Sequence, residues 1–349
     1  MTIVSVIMAG LALAAPPDTS QPYLVSANSM RVQLVGSDKV TWLKGQVEIV
    51  HGPTVIRGDS ARVSTQQEKA FIWGAVRITD QTASLSGREA VYSKKLGRSV
   101  LYGRPRLHDR GWTLEADSLV HLRDLARSFA FGNIVMEDSA ARNRVEGGYG
   151  EYWHQTSYGL LTGRPQFFLI EGKGRVSTIT ADRMEVLQAQ QTAIATGSVV
   201  FAGDSLWASA GRMSYFRDQG RMFLEEGPRA WREDADLAGR TMELDFAGDS
   251  LRSAVVRDSA ELRQFLAGAG DTDRIRCDSL LVEFSQGKIA YARAQGSAWS
   301  RYHQSDQGRA SGWNLAAGRE MEFFFDQGRI DRLSVNGPAR GAYFGKDQP

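Results

Sequence analysis

An eight-residue segment recurs along this chain and limits the folds that it can form. The segment "IRGDSARV" at 56–63 returns as "LEADSLVH" at 114–121, "ITADRMEV" at 179–186 and "IRCDSLLV" at 275–282. Its small third residue serves as an anchor, and ten anchors follow each other at intervals of 29 to 41 residues: Ala27, Gly58, Gly87, Ala116, Gly147, Ala181, Ala210, Gly239, Cys277 and Gly318. Self-similarity at about 30 residues predicts a repeat architecture.

Each copy of the segment has the apolar alternation of a β-strand, with a break at the anchor. Apolar residues stand two positions before the anchor and three and five positions after it, as in Ile56, Ala61 and Val63. Period-two alternation predicts strands, and a change of parity inside a strand requires a bulge or corner. The predicted structural corners are Gly58 with Asp59, Ala116 with Asp117, and Ala181 with Asp182.

A second signal follows most anchors after about sixteen residues: a glycine and then two apolar residues spaced by one. Examples are "GQVEI" from Gly45, "GAVRI" from Gly74, "GNIVM" from Gly132 and "GSVVF" from Gly197. Each repeat is therefore a strand, a corner, a continuing strand, a polar turn and a returning strand. We predict an all-β fold, an elongated open β-jellyroll in which two antiparallel sheets face each other as a folded trough.

One later segment has an alternative interpretation. In "RDSAELRQFL" at 257–266, Asp258 and Glu261 have the spacing of a capping box, which would begin a short helix. We favour a strand there because the neighbouring units predict one.

Composition excludes several classes of protein. The formal net charge is only +2, which argues against nucleic acid as a partner, and 42% hydrophobic residues argue against disorder. Cys277 is the single cysteine, so no disulfide forms within the chain, and we predict a small buried thiol.

The first residues predict export. Residues 1–20 are apolar and end in small residues before two prolines, as in a signal peptide or a short anchor. Residues 21–349 form the repetitive region, which could divide into tandem sections 21–175 and 176–349. No later stretch approaches the length of a transmembrane helix.

Catalytic and metal-binding patterns are not found in the sequence. The five histidines are scattered without metal-ligand spacing, and we expect them on exposed or strand faces: His51, His108, His121, His154 and His303. The recurring aspartates stand too far apart for a calcium-binding β-roll. We therefore predict no catalytic residue, no metal and no cofactor.

The recurring motif and its following glycine resemble the OstA-like domain of the LptA, LptC and LptD N-terminal family. The best matches run from "GDSARV" to "GAVRI", from "ADSLVH" to "GNIVM" and from "ADRMEV" to "GSVVF". The resemblance implies a periplasmic β-jellyroll that carries lipopolysaccharide between the inner and outer membranes, with acyl chains inside the trough. The slot lining expected on this basis is Ile56, Val63, Leu114, Ile134, Ile179, Met184, Val186, Val199 and Phe201.

The resemblance also implies partners, and alternatives stay open beside it. Expected partners are lipopolysaccharide or a related glycolipid, other Lpt-type proteins joined edge to edge by strand pairing, and head-to-tail copies of this chain. The chain is longer than a typical soluble bridge of this kind. The apolar interior also fits an exported β-solenoid scaffold with a filled core and no lipid. A polysaccharide-acting β-helix enzyme would need clustered carboxylates on one face, and the sequence shows none.

Overall fold

The computed structural model describes residues 24–81, 83–109, 111–138, 143–170, 176–248, 250–265, 272–306, 309–326 and 329–345. The predicted signal or anchor at 1–20 lies outside the described residues. Nearly all of the described chain is antiparallel strand, so the predicted all-β class is confirmed. The repeat count stays a prediction.

The strands follow each other in chain order, and the described connections include three single 3-10 turns: Arg123–Leu125, Gln188–Gln190 and Arg217–Gln219. The strands are β1 (Leu24–Ser26), β2 (Ser29–Val35), β3 (Asp38–His51), β4 (Thr54–Ser64), β5 (Lys69–Thr79), β6 (Ser84–Ser93), β7 (Arg98–Tyr102), β8 (Arg106–Asp109), β9 (Trp112–Glu115), β10 (Ser118–Leu122), β11 (Arg127–Asp138), β12 (Asn143–Trp153), β13 (Tyr158–Thr162), β14 (Gln166–Ile170), β15 (Val176–Thr180), β16 (Arg183–Leu187), β17 (Thr192–Ala202), β18 (Trp207–Phe216), β19 (Arg221–Glu225), β20 (Arg229–Trp231), β21 (Ala235–Ala238), β22 (Thr241–Ala247), β23 (Ser250–Phe265), β24 (Thr272–Ser285), β25 (Lys288–Asp306), β26 (Arg309–Asp326), β27 (Arg329–Asn336) and β28 (Arg340–Gly345).

The chain forms two compact units, and the tandem sections 21–175 and 176–349 stay a prediction. Unit 1 contains Met1–Met136 with Tyr149–Thr156, and unit 2 contains Glu137–Gly148 with Ser157–Pro349. Among the described residues, no helix has the length and hydrophobicity needed to cross a membrane.

Unit 1 consists of two half-sheets that the same strands build. In β3, β4 and β5 the pairing register shifts near the middle of the strand, which marks a bulge. The part of each strand on one side of the bulge pairs into the first half-sheet, which contains 47–51, 54–58, 76–79, 84–87, 106–109 and 112–115. The other parts pair into the second half-sheet, which contains 38–44, 60–64, 69–73, 89–93, 98–102, 118–122 and 127–131.

The inner faces of the two half-sheets are buried and mainly apolar. The first contributes Val47, Ile49, Ile56, Ile78, Leu85 and Leu107, and the second contributes Leu43, Ala61, Ile72, Ala90, Leu101 and Leu119. These side chains alternate along each strand with exposed or half-buried residues, as the period-two pattern predicts. The hydrophobic effect therefore holds the half-sheets face to face.

Unit 2 repeats this arrangement. Its strands β17, β23, β24 and β25 each carry a register shift near the middle, and buried apolar residues again line the inner faces. Strand β23 includes Asp258, so the segment with capping-box spacing is a strand. Asp258 and Ser259 have φ of 60° and occupy the bulge at which the β23–β24 register shifts.

The first strands of unit 1 form an edge. Every residue of β2 is exposed, and the ladder found for β2 among the described residues is the one with β3. Met30 pairs with the buried Leu43 and is 50% exposed, and Leu34 is 73% exposed. The apolar interior of unit 1 is therefore uncovered at this edge.

Candidate functional site

The residues predicted to line a slot in unit 1 lie in its interior. Ile56 on β4, Leu114 on β9 and Ile134 on β11 are buried, and Val63 on β4 is buried on the second half-sheet. Ile56 pairs with Ile49 and Ile78, both fully buried. These positions form a continuous apolar row across neighbouring strands.

The predicted residues of unit 2 are buried in the same way: Ile179, Met184, Val186, Val199 and Phe201. Ile179, Met184 and Val186 line one apolar cavity together with Val145, Phe167, Ala195 and Met213. Its volume is about 10 Å³, which is room for roughly one water molecule and far too little for an acyl chain. Around Ile179, Met184 and Val186 the interior of unit 2 is therefore closed by its own side chains.

The predicted corner residues contact the recurring glycines of the next strand. A Cβ atom added at Gly74 would lie 2.2 Å from Oδ2 of Asp59, and one at Gly132 would lie 2.3 Å from Oδ2 of Asp117. Both glycines have positive φ, at 75° and 71°. Only glycine combines this backbone with the absence of a side chain, so the aspartate packs directly on its Cα atom.

The same contact recurs in unit 2 and explains why two sequence signals repeat together. Asp182 lies against Gly197, and the Asp182 amide donates to the Gly197 carbonyl at 2.9 Å. Asp278 lies against Gly296. The aspartate of one corner and the glycine of the following bulge are thus two halves of one packing contact.

Polar side chains join the two half-sheets of unit 1 on the side opposite the corners. We call this the seam: His51, Thr54, Asp80 and Asp109 from the strand ends of the first half-sheet, and Tyr92, His121, Arg123, Ser128 and His154 from the second half-sheet and its turns. Nearly all of these side chains are buried, and His121 is only 1% exposed. The seam closes the interior with hydrogen bonds.

One part of the seam is centred on Tyr92. Its hydroxyl lies 2.8 Å from Nδ1 of His51, and Arg123 Nη1 donates to that hydroxyl and to Thr54 Oγ1, each at 3.3 Å. Burial raises the pKa of Tyr92, so the phenol stays protonated at neutral pH. Arg123 thus brings a cation to the rim of the apolar interior.

The other part is a five-residue chain, Asp80–His121–Ser128–His154–Asp109. His121 Nε2 lies 3.1 Å from Asp80 Oδ2, and His154 Nδ1 lies 3.1 Å from Asp109 Oδ2. Between the rings, Ser128 Oγ lies 2.9 Å from His121 Nδ1 and 2.8 Å from His154 Nε2. The ring centroids of the two histidines are 5.3 Å apart.

This hydrogen-bonded row of residues can hold one proton more than it has when both imidazoles are neutral. Each carboxylate needs an N–H donor from the ring beside it, which leaves the other nitrogen of each neutral ring as an acceptor facing Ser128. A single hydroxyl proton cannot serve two acceptors. One additional proton on either ring lets Ser128 donate to one imidazole and accept from the other.

A second additional proton is opposed by the surroundings. Burial lowers the pKa of His154, and the neighbouring His121 lowers it further, against the opposing effect of Asp109. A charge on His154 beside a protonated His121 is therefore disfavoured.

The seam was not predicted from the sequence. His51 and His121 lie on strands, as the expectation of exposed or strand-face histidines allows, but together with His154 they are buried in one hydrogen-bonded network. A positional signal was available: His51, Asp80 and Asp109 each stand six residues after a recurring glycine, at Gly45, Gly74 and Gly103. Among the described residues no group of three histidine, cysteine or acidic side chains could hold a metal ion.

Comparison with known proteins agrees with the motif. Residues 24–125 match the family model described as "LptA/(LptD N-terminal domain) LPS transport protein". No curated protein matches the chain. Among solved structures, the crystal structure of LptH, the LptA homologous periplasmic component of the lipopolysaccharide transport device from Pseudomonas aeruginosa, matches with 22% identity and a TM-score of 0.28, over 31% of this chain and 80% of that one.

The matched segment contains the first three glycine bulges and most of the seam, from His51 to Arg123. It also contains the predicted slot residues Ile56, Val63 and Leu114. The resemblance to the OstA-like LptA/LptD N-terminal family is therefore confirmed over residues 24–125, the segment that the family model matches.

Proposed function

We propose that this protein is a periplasmic bridge that carries lipopolysaccharide or a related glycolipid between the inner and outer membranes. The observation that carries the proposal is the family match over residues 24–125, on a unit whose two half-sheets enclose a continuous apolar interior. The family match supports an involvement in lipopolysaccharide transport and favours transport over catalysis.

The proposed binding mode follows from the two kinds of surface. Acyl chains would lie between the half-sheets among residues such as Ile56 and Val63, because each buried methylene contributes about 0.8 kcal/mol. The phosphate-bearing head group would remain in water beside the rim. Arg123, whose Nε donates to Asp124, would pair with a phosphate there through its other N–H groups.

The exposed edge strand supports the proposed mode of assembly. All seven residues of β2 are exposed, and an antiparallel edge accepts another strand by backbone hydrogen bonds. A partner of the same fold that pairs with β2 would continue the apolar interior past Met30 and Val32. Photo-crosslinking from position Leu34 should then capture another Lpt-type protein or a second copy of this chain.

A second candidate function is an exported scaffold without lipid. The closed interior of unit 2, with a cavity of about 10 Å³, favours it. Under that candidate the half-sheets never separate, and added lipopolysaccharide finds no place in the chain.

Neighbouring residues on β17 give a matched test between the two candidates. Val199 is 1% exposed on the inner face, and Val200 is 39% exposed on the outer face. We expect Val199→Asp to reduce capture of purified lipopolysaccharide at least tenfold, while Val200→Asp leaves capture unchanged. Ile56→Asp and Val186→Asp extend the test to other predicted lining positions.

A charge in the interior can also prevent folding, so a second variant is needed. Ala195→Leu places a larger apolar side chain beside the cavity of unit 2 and adds no charge. If Ala195→Leu and folded Val199→Asp both capture lipopolysaccharide as the unmodified protein does, the interior of unit 2 is not the binding site, and folded Ile56→Asp makes the same test for unit 1.

A further inference from the structure

The two long sides of unit 1 are closed in different ways. On the corner side, β4, β5 and β6 run from one half-sheet to the other as continuous backbone. On the opposite side, the described half-sheets are joined by the side chains of the seam. Separation of the half-sheets along the seam breaks no strand, so this is the side on which the interior can open.

A polar seam is not required to close a unit of this fold. In unit 2, one small cavity among the strand ends is lined mainly by apolar side chains, namely Leu206, Leu251, Phe284 and Ile289, with Arg232 beside the ring of Phe284. Elsewhere in unit 2 the buried Asp273 on β24 lies 2.8 Å from Nδ1 of His303 on β25. Hydrogen bonds between protein groups exchange for hydrogen bonds to water at a small net cost, whereas apolar contacts do not. The polar seam of unit 1 therefore separates more readily than an apolar one.

Building on the proposed function for the identity of the lipid, we infer that the chain Asp80–His121–Ser128–His154–Asp109 is a proton-sensitive clasp, along which unit 1 opens to admit acyl chains. The clasp lies at the ends of β5, β8 and β12 and within β10 and β11. It bridges the half-sheets at two points, Asp80 to His121 and Asp109 to His154.

The direction of the pH effect follows from the groups around His154. The Asp109 carboxylate accepts a hydrogen bond from Nδ1 of the His154 ring, and the Ser128 hydroxyl lies 2.8 Å from Nε2. His121 lies edge-on at 5.3 Å, and Tyr152 of the preceding strand packs at 4.9 Å. Asp80, beyond His121, also contributes a favourable charge. Burial and His121 outweigh the two carboxylates and lower the pKa of His154 in the closed seam.

An open seam admits water to this ring and restores its ordinary pKa. The open form then takes up the second additional proton, at His154, more readily than the closed form does. The stability of the closed seam is therefore fully present above the pKa of the open form and is lost as pH falls through the lowered pKa of the closed form. Acid opens the clasp.

A buried serine offers a reporter of opening. Ser99 is buried, and its neighbours across the strands are Tyr92 and His121. We would introduce Ser99→Cys in a Cys277→Ser background and measure the rate of its reaction with a maleimide between pH 8 and pH 5. Dividing this rate by that of Ser37→Cys, an exposed position, removes the pH dependence of the thiol itself.

The normalised rate should rise as the pH falls, by up to about tenfold for each unit by which the closed-form pKa of His154 lies below the open-form value. His154→Gln keeps a hydrogen-bonding group that cannot take up a proton, so its normalised rate should be independent of pH. His108→Gln, which changes an exposed histidine bonded to Thr113, is the matched control and should keep the full response.

Two results would overturn the clasp: a normalised rate that does not change with pH in the parent, or an equal response in His154→Gln and the parent. If His154→Gln does not fold, Ser128→Ala decides. It removes the hydroxyl between the rings and should raise the rate at pH 8, and an unchanged rate contradicts the clasp. Ser300→Ala, at a fully buried serine of unit 2, is its control.

Lipid capture separates this inference from the proposed function. Lipopolysaccharide capture that is faster at pH 5 than at pH 8 in the parent, and equal at both in His154→Gln, supports both. If lipopolysaccharide is captured but the reporter does not respond to pH, the clasp is contradicted and the proposed function stands. If the reporter responds to pH but the protein captures no lipopolysaccharide, the clasp stands and the proposed function is contradicted.

Discussion

At the residue scale, the contact between an aspartate and a glycine explains why the sequence repeats its segment with so few changes. The carboxyl group of Asp117 lies against the Cα atom of Gly132, and Asn133 Nδ2 donates to Asp117 Oδ2 at 2.9 Å. Where arginine replaces the aspartate, as at Arg88 against Gly103, the aliphatic part of the side chain fills the same place. What the copies of the segment share is therefore a glycine with positive φ at the bulge, rather than a charged residue at the corner.

Substitution of such a glycine should lower the free energy of unfolding by more than the strain of its positive φ alone. Gly36 has φ of 64° and open space around its missing side chain, whereas Gly132 has φ of 71° and the Asp117 carboxyl group in that space. We expect Gly36→Ala to lower the free energy of unfolding by about 1 kcal/mol. Gly132→Ala should lower it by about 2–4 kcal/mol, because the clash adds to the backbone strain.

Thermal unfolding followed by circular dichroism measures both variants. The double variant Asp117→Ala with Gly132→Ala should recover part of the difference, since the shorter side chain at position 117 relieves the clash. Equal midpoints for Gly36→Ala and Gly132→Ala would show that the aspartate contact contributes nothing.

Cys277 gives a second prediction at this scale. The thiol is buried, as predicted, and burial raises its pKa to about 11. A thiol with the ordinary pKa of 9.0 has a thiolate fraction at pH 8 that is on the order of 100-fold larger than that of Cys277. Native protein should therefore react with a thiol reagent at least that much more slowly than protein unfolded in urea, and comparable rates would contradict the buried environment.

At the scale of the element, β20, β21 and β23 are joined by one buried carboxylate. Asp236 on β21 is 1% exposed at its side chain and accepts from Arg229 Nε at 2.9 Å and from Arg263 Nη2 at 2.7 Å. The carboxylate raises the pKa of Arg229 through the hydrogen bond and its charge. The two partly exposed guanidinium groups clamp a carboxylate that water cannot reach.

Loss of this carboxylate should destabilise unit 2 more than loss of a surface one. We expect Asp236→Ala to lower the free energy of unfolding by about 2–4 kcal/mol, because it leaves two arginines without their shared partner. Asp245→Ala, which removes the exposed ion pair with Arg252, should cost less than about 1 kcal/mol. Urea titration measures both, and equal losses would show that the buried clamp acts like a surface pair.

The sequence predicted the strands and bulges because these depend on local alternation and on small residues at fixed positions. Ile56, Ala61 and Val63 signal a strand whose inner face changes parity, and β4 shows a register shift at that point. The seam depends on side chains 41 and 45 residues apart, as in His51 with Tyr92 and Asp109 with His154. No single segment contains such a pair, so only the register between repeats reveals it.

At the scale of the whole molecule, two units enclose apolar interiors that serve either as filled cores or as lipid slots. Lining and packing residues have the same composition, so the sequence could name Ile179, Met184 and Val186 as buried but could not distinguish these roles. The structure adds that the interior of unit 2 is closed around them and that unit 1 is closed by hydrogen bonds. The proposed transport function therefore depends on whether a lipid occupies the interior of the native protein.

The measurement that tests this claim most directly is mass spectrometry of the lipids extracted from the protein, purified from its own cell envelope. A transport function predicts a phosphorylated glycolipid with several acyl chains, close to one molecule per chain. The lipid should be lost in folded Ile56→Asp and retained in Val200→Asp. A protein that carries no lipid, and that also refuses added lipopolysaccharide at pH 8 and at pH 5, would contradict the account and leave the exported scaffold as its function.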